Sequence, residues 1–242
     1  KLSHTKVELT YNLMRTFVAG LAFAMPFSLV YQMMSDRMKG LQKSEKVIKG
    51  LPFAAGFTAG TAVSIAGNMH YVIYAQIIPL IEKLTGKEVS SYWFPDATRY
   101  IGYNPYREED RTIHEFPCYS FVLGDLHAHV VNIMFVLLVI ALLYVWLRGV
   151  RKKTVPVETS MKDGKFWKEQ LLMPHLLVIS ALLGMFQWTN FWDFVIYYVV
   201  TLGTVLFANI IRFQGKIKKI IVVTFAQMAE IYLLAYLVIL PF

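Results

Sequence analysis

Cysteine is almost missing: Cys118 stands alone in 242 residues. A single thiol makes no intrachain disulfide and offers no basis for a zinc site. Charge is scarce too, at 17% of the chain, where a soluble domain carries about a quarter. There is no internal repeat, no low-complexity stretch and no signal peptide at the start, where Lys1 is followed by polar neighbours. What fills the chain instead is apolar: 56% hydrophobic residues, 15% aromatic ones, and a mean hydropathy of +0.47. That composition excludes disorder, which needs low hydrophobicity and high net charge, and it argues against a single soluble globule.

A hydrocarbon core about 30 Å thick is crossed by roughly 20 apolar residues in a helix. Five stretches approach or reach that length: 10–34, 51–69, 128–147, 171–189 and 220–240. A sixth, 194–211, is slightly short but uncharged. The expected fold class is therefore an all-α membrane protein of about six transmembrane helices, forming one polytopic domain with one large extracytoplasmic loop at about 82–126. The second stretch is crowded with Ser, Thr, Gly and Ala, and its Gly56 and Gly60 form a small-xxx-small pair suited to close helix packing. Residues 70–84 either extend that helix or lie in the interface.

The net charge of +8 has two readings, a nucleic-acid footprint or an orientation signal. Location decides between them. The linkers 35–50, 148–170 and 212–219 carry net charges of +3, +4 and +4, more than the whole chain, while the 82–126 loop carries −3. Basic linkers on the cytoplasmic side and an acidic loop outside give a consistent alternation across a cell membrane. The five Trp residues, at 93, 146, 167, 188 and 192, fall near the predicted helix ends. A nucleic-acid partner is excluded on this reading, and membrane lipids are expected. The same alternation starts Lys1 on the outer side and ends the sixth helix there, so the chain is expected to be part of a longer protein with further helices.

Polar chemistry collects in the outer loop. The Glu108–Arg111 run reads as a solvated loop tip. Glu115 and Asp125 differ, because each sits among apolar residues near the membrane surface, where a carboxylate is costly unless paired or used. Asp125, His127 and His129 follow at i, i+2 and i+4. On a helix Asp125 and His129 share a face; on an extended segment all three do. Either way at least two converge on one metal ion or phosphate, and Asp-x-His-x-His is an oxygen-and-nitrogen set for a divalent cation. The competing reading is structural, with these groups capping and anchoring the third helix. Arg99, Arg107 and Arg111 are phosphate-ligand candidates through their guanidinium forks, or else snorkel at the interface. Asp96 lies in the same loop, and the turn WTNFWDF (188–194) places Asn190 and Asp193 on the same outer side. Asp193 reads equally as a helix cap. Arg15 and Glu230 are charges inside predicted helices, a placement that marks a functional candidate.

The run TIHEFPCYSFVLGDLHAHV, followed by GMFQWTNFWDF, resembles the large hydrophobic DUF2298 membrane proteins, also called the YYY family. Their Thr-Ile-x-Glu-Phe-Pro, Leu-x-Asp-Leu-His-x-His and Asn-x-Trp-Asp elements correspond to Thr112–Pro117, Leu123–His129 and Asn190–Asp193. ATRYI resembles the family's short Arg-containing stretch upstream. Ala128 stands where the family commonly has Pro. The resemblance implies a long polytopic protein distantly similar to GT-C glycosyltransferases, with a GT-C-like helical bundle. It also implies a donor of the polyprenyl-phosphate sugar type on the outer face.

The leading expectation is thus a membrane transferase of that kind. Asp125 or Glu115 would be its base, with His127 and His129 as metal ligands beside Asp125. Arg99 would clamp phosphate, and Asp96, Asn190 and Asp193 would line the substrate site. The alternatives are a lipid or solute transporter or flippase, in which Arg15 and Glu230 would act, and a non-catalytic subunit of a membrane complex.

Overall fold

A computed structural model describes residues 5–41, 44–67, 70–98, 115–152 and 160–240. Among these the regular elements are helical. Among the described residues four helices are long and apolar enough to cross a membrane: α1 (Val7–Met38), α5 (Ala128–Lys152), α8 (Phe191–Phe213) and α9 (Ile217–Ile239). A fifth span arises if α6 (Gly164–Leu171) and α7 (Pro174–Thr189), bent by 51° at their junction, count as one. The all-α membrane architecture expected from hydropathy is therefore present, with four or five qualifying spans where six runs were expected. The remaining run belongs to α2 (Glu45–Ser64), which is helical but opens on charged residues and is rich in Gly, Ala and Thr.

The chain divides into two units, Lys1–Val130 and Val131–Phe242. In the first, α1 and α2 pack along their length. The small residues expected to permit this do so: a Cβ on Gly56 would stand 2.8 Å from the Phe27 carbonyl oxygen, and one on Gly60 2.9 Å from that of Phe23. Above and below these contacts the aromatic rings interlock. Phe23 meets Phe57 edge-on at 5.8 Å, and Phe27 meets Phe53 at 5.6 Å. Pro26 lies inside α1 without ending it, as spanning helices tolerate. After Ser64 the helix stops. Residues 72–77 then form a π-helical turn that leads into α3 (Ile78–Leu84), so this segment is separate from α2. A short 3₁₀ turn covers Phe94–Thr98, and α4 spans Pro117–Leu123.

In the second unit α7, α8 and α9 surround a core of Leu176, Ile179, Leu183, Phe186, Val205, Ala208, Ile231 and Ala235, all fully buried, with Val139 and Leu143 of α5 joining it. The tightest approach is at Gly184, where an added Cβ would lie 2.6 Å from the Ala235 carbonyl oxygen. Leu176, Ile179, Leu183 and Phe186 recur every three or four residues and so share the stripe of α7 that faces this core. The outward faces of α8 and α9 expose Val199, Phe207, Phe225 and Leu233, each more than half accessible. Apolar side chains in that position suit contact with lipid.

Candidate functional site

The acidic and histidine residues of the loop are organised by α4. This helix starts at Pro117 in its first turn and ends at Gly124, whose backbone is left-handed (φ 75°, ψ 29°). A left-handed residue after a helix is ordinarily Gly, because a Cβ there is strained. The turn closes when the Asp125 N–H donates to the Ser120 carbonyl at 2.9 Å. Asp125, Leu126 and His127 then run without regular structure until α5 starts at Ala128. Neither the helical nor the strand template for Asp125, His127 and His129 applies over the whole motif, since the chain passes from irregular backbone into helix within it.

Glu115 immediately precedes α4 and His127 follows it, and the fold brings them together. His127 Nε2 stands 2.8 Å from Asp125 Oδ2 and 3.2 Å from Glu115 Oε1. A single Nε2–H donates well to one of them, and the shorter distance favours Asp125; the other contact is chiefly electrostatic. The Glu115 side chain is 24% exposed against 54% for Asp125, so Asp125 is the carboxylate open to an incoming group. The His129 ring stacks on His127 at 5.8 Å, and its Nε2 is buried without a hydrogen-bond partner among the described residues.

Two residues of α1 meet this turn, and sequence reasoning missed one of them. The Tyr11 hydroxyl donates to the Gly124 carbonyl at 3.2 Å and accepts from the Leu126 N–H at 3.0 Å. Arg15, one helical turn further on, lies over Gly124: a Cβ there would fall 1.9 Å from its Nη1. The i, i+4 spacing puts both side chains on one face of α1. Arg15 was visible as a charge inside an apolar helix. Tyr11 carried no signal, because a Tyr near a helix end reads as an interfacial aromatic.

Beside the turn is an apolar cavity of about 560 Å³, whose lining includes Phe116, Cys118, Tyr119 and Val122 of the α4 segment and Phe94 of the 3₁₀ turn. Burial pushes the Cys118 thiol above its ordinary pKa. Asp96, in the same 3₁₀ turn, acts on a different neighbour. The Tyr92 hydroxyl is pushed up by burial and then by the charge of Asp96, and it meets His70 Nδ1 at 3.1 Å. Among the described residues no ion pair joins Asp96 to His127. Arg99, Arg107 and Arg111 lie outside the described residues.

Asn190 and Asp193 come together in the second unit. Asp193 Oδ2 accepts from Asn132 Nδ2 at 2.6 Å and from Asn190 Nδ2 at 3.1 Å, while Thr189 Oγ1 donates to Asn132 Oδ1 at 2.8 Å. Asn190 is the N-cap residue of α8, and no side-chain cap bond is made there. Asp193 stands in the first turn of α8, where its carboxylate lies between two amides. Asn132 is fully buried and was hidden within an apolar run.

A divalent cation was expected at Asp125, His127 and His129. As arranged, His127 Nε2 and the Asp125 carboxylate face each other, and no group of three His, Cys, Asp or Glu among the described residues is placed to hold a metal ion.

The family model for DUF2298, described as an uncharacterized membrane protein, matches residues 1–242. Neither the curated proteins nor the solved structures contain a match to the chain. The chain belongs to the DUF2298 family.

Proposed function

We propose that this DUF2298 membrane protein is a glycosyltransferase-like enzyme that takes its sugar from a polyprenyl-phosphate donor on the outer face of the cell membrane. The observation that carries the reading is His127 held between the Asp125 and Glu115 carboxylates at 2.8 and 3.2 Å. Such a unit can accept a proton at the exposed carboxylate and share the charge with an imidazole. In the proposed step an acceptor hydroxyl loses its proton to Asp125 and its oxygen attacks the anomeric carbon. The bond from that carbon to the phosphate oxygen breaks, and the polyprenyl phosphate departs with the electron pair. Arg15, over the Gly124 turn, is a cation available to that phosphate. Arg99 is proposed as a second. Asp96, Asn190 and Asp193 are proposed as substrate contacts. The apolar cavity of about 560 Å³ suits the first isoprene units of the lipid.

The test is transfer activity in membranes. Asp125→Ala and Glu115→Ala should abolish transfer while expression and insertion stay intact; full activity in both variants rejects the site. Assay with EDTA, then with added Mg²⁺, decides whether a divalent cation accompanies the phosphate. The outer placement of residues 82–126, with linkers 35–50, 148–170 and 212–219 inside, belongs to the same proposal, and labelling of introduced cysteines from each side tests it.

One observation favours a second reading, a lipid or solute transporter. Glu230 lies in the apolar helix α9, and its Oε2 is buried without a partner among the described residues. Loss of flux in Glu230→Gln, with no transferase activity in the wild type, would select it.

A further inference from the structure

The second unit contains a polar construction that the transferase reading does not use. Near the C-terminal end of α8, Arg212 Nη2 donates to Gln170 Oε1 at 2.6 Å and Nη1 to Asn209 Oδ1 at 3.3 Å. These acceptors are themselves fixed. Asn209 Nδ2 donates to Gln227 Oε1 at 2.8 Å, and Gln227 Nε2 donates to the Gln170 backbone carbonyl at 3.0 Å. Gln170, Asn209 and Gln227 are all buried. Three side chains, Gln170 of α6, Asn209 of α8 and Gln227 of α9, therefore hold one guanidinium in place, and they do so with neutral oxygens. Among the described residues no carboxylate lies within ion-pair distance of Arg212. Two of its five N–H donors are occupied by these bonds.

Arg212 opens onto a cavity of about 650 Å³. Glu169 lines the same cavity beyond ion-pair distance of Arg212, though its charge acts on the guanidinium, so one cavity presents a cation and an anion that are not in direct contact. The remaining wall is largely apolar and includes Val145 and Trp146 of α5 and Leu172 at the α6–α7 bend. Val145 and Leu172 are each about 60% exposed, at 59% and 61%. The cavity lies where α5 and α8 end and α7 begins, at the level of the helix termini where lipid headgroups meet a spanning bundle.

We infer that this cavity binds the headgroup of a zwitterionic phospholipid of the phosphoethanolamine class, with the phosphodiester on Arg212 and the ammonium on Glu169. A guanidinium fork fixed by amides is preorganised for phosphate oxygens. The carboxylate adds what a plain anion site would lack, a partner for the ammonium two carbons away. An anionic phosphatidylglycerol headgroup satisfies Arg212 but leaves Glu169 facing a neutral glycerol. Val145 and Leu172 then offer apolar surface to the start of the acyl chains.

The experiment is native mass spectrometry of the whole protein, with phosphatidylethanolamine, phosphatidylglycerol and phosphatidylcholine offered in equal amounts. The wild type should retain phosphatidylethanolamine over phosphatidylglycerol by about tenfold. Arg212→Gln should lose retention of all three lipids. Glu169→Gln changes an exposed side chain on α6, so the fold should survive; it should keep bound lipid but lose the preference for ethanolamine. Preferential retention of phosphatidylglycerol by the wild type would overturn the inference, pointing to Lys216 and Lys219, whose charges lie near Arg212, as a diffuse basic surface. An unchanged preference in Glu169→Gln would overturn it as well. Soluble phosphoethanolamine is the last arm. If it displaces the lipid at equal concentration, the ligand is a free phosphate compound and the membrane-lipid assignment fails.

Discussion

Asn132 in α5 and Asp193 in α8 are joined by a 2.6 Å hydrogen bond across 61 residues of sequence. Asn132 is fully buried, and its amide spends both ends: Nδ2 on the Asp193 carboxylate and Oδ1 on the Thr189 hydroxyl. The bond therefore ties α5 to the tight α7–α8 turn, where Asn190 alone separates the two helices. A buried amide satisfied at both ends specifies how these helices meet, which a purely apolar contact between them would not.

Asn132→Leu removes the donor and leaves Asp193 with Asn190 as its remaining amide. The loss should be about 1–3 kcal/mol, the range for a hydrogen bond to a charged group whose partner is then stranded. A lower melting temperature in detergent, with normal membrane insertion, is the expected result. Asn132→Leu with wild-type stability would show that water replaces the amide at no cost.

Gly184 gives a sharper contrast. A Cβ at this position would meet the Ala235 carbonyl oxygen at 2.6 Å and Val238 Cβ at 2.8 Å, both fixed parts of α9. A Cβ at Gly203, in α8, would meet nothing within 4 Å. Gly184→Ala should force α7 from α9 and lower the melting temperature, at a cost of about 1–3 kcal/mol for overpacking. Gly203→Ala should be neutral or slightly stabilising, because Ala is the better helix former by about 1 kcal/mol. Equal effects from the two substitutions would mean that the α7–α9 contact yields without cost.

These two cases show which kinds of information the sequence holds. Apolar runs identify spanning helices because the membrane requires each segment to satisfy its own backbone, and the Gly56–Gly60 spacing marked a helix contact because small residues serve little other purpose there. Glu115, Asp125 and His127 stood out because charge beside an apolar run is costly. Asn132 did not, since one amide barely lowers the hydropathy of α5 and its significance depends on a partner 61 residues away. Tyr11 was hidden for the same reason. The shape of the 125–129 motif was hidden too: periodicity offers helix or strand, and the left-handed Gly124 makes the chain neither until Ala128.

Tyr11→Phe removes one hydroxyl and with it both bonds to the turn, at Gly124 and Leu126. Each is worth about 0.5–1.5 kcal/mol at most, and the lower end applies because the ring is partly exposed. Global stability should change little. Hydrogen exchange of the Leu126 amide should accelerate several-fold, since its acceptor is lost, while exchange in the core of α9 stays constant. Unaltered exchange at Leu126 would show that the turn is held by Arg15 and by the Asp125–Ser120 bond without help from Tyr11.

Cys118 lines the apolar cavity, and burial raises its thiol pKa. The neutral thiol is therefore favoured in the folded protein, and the thiolate that reacts with alkylating agents forms only at higher pH than for a free cysteine, whose pKa is about 8.5. Iodoacetamide should react more slowly with the folded protein than with a short unfolded peptide containing the same cysteine. The midpoint of its rate–pH profile should move to higher pH. The charged thiolate is also the form the cavity opposes, so unfolding in detergent should bring the midpoint back to that of the peptide. A small apolar maleimide, which can enter the cavity, should outpace iodoacetamide by more in the folded protein than in the unfolded one. A midpoint at or below that of the peptide would mean that the thiol meets water or a cation, and that the cavity beside the Asp125 turn is not the dry pocket a lipid chain requires.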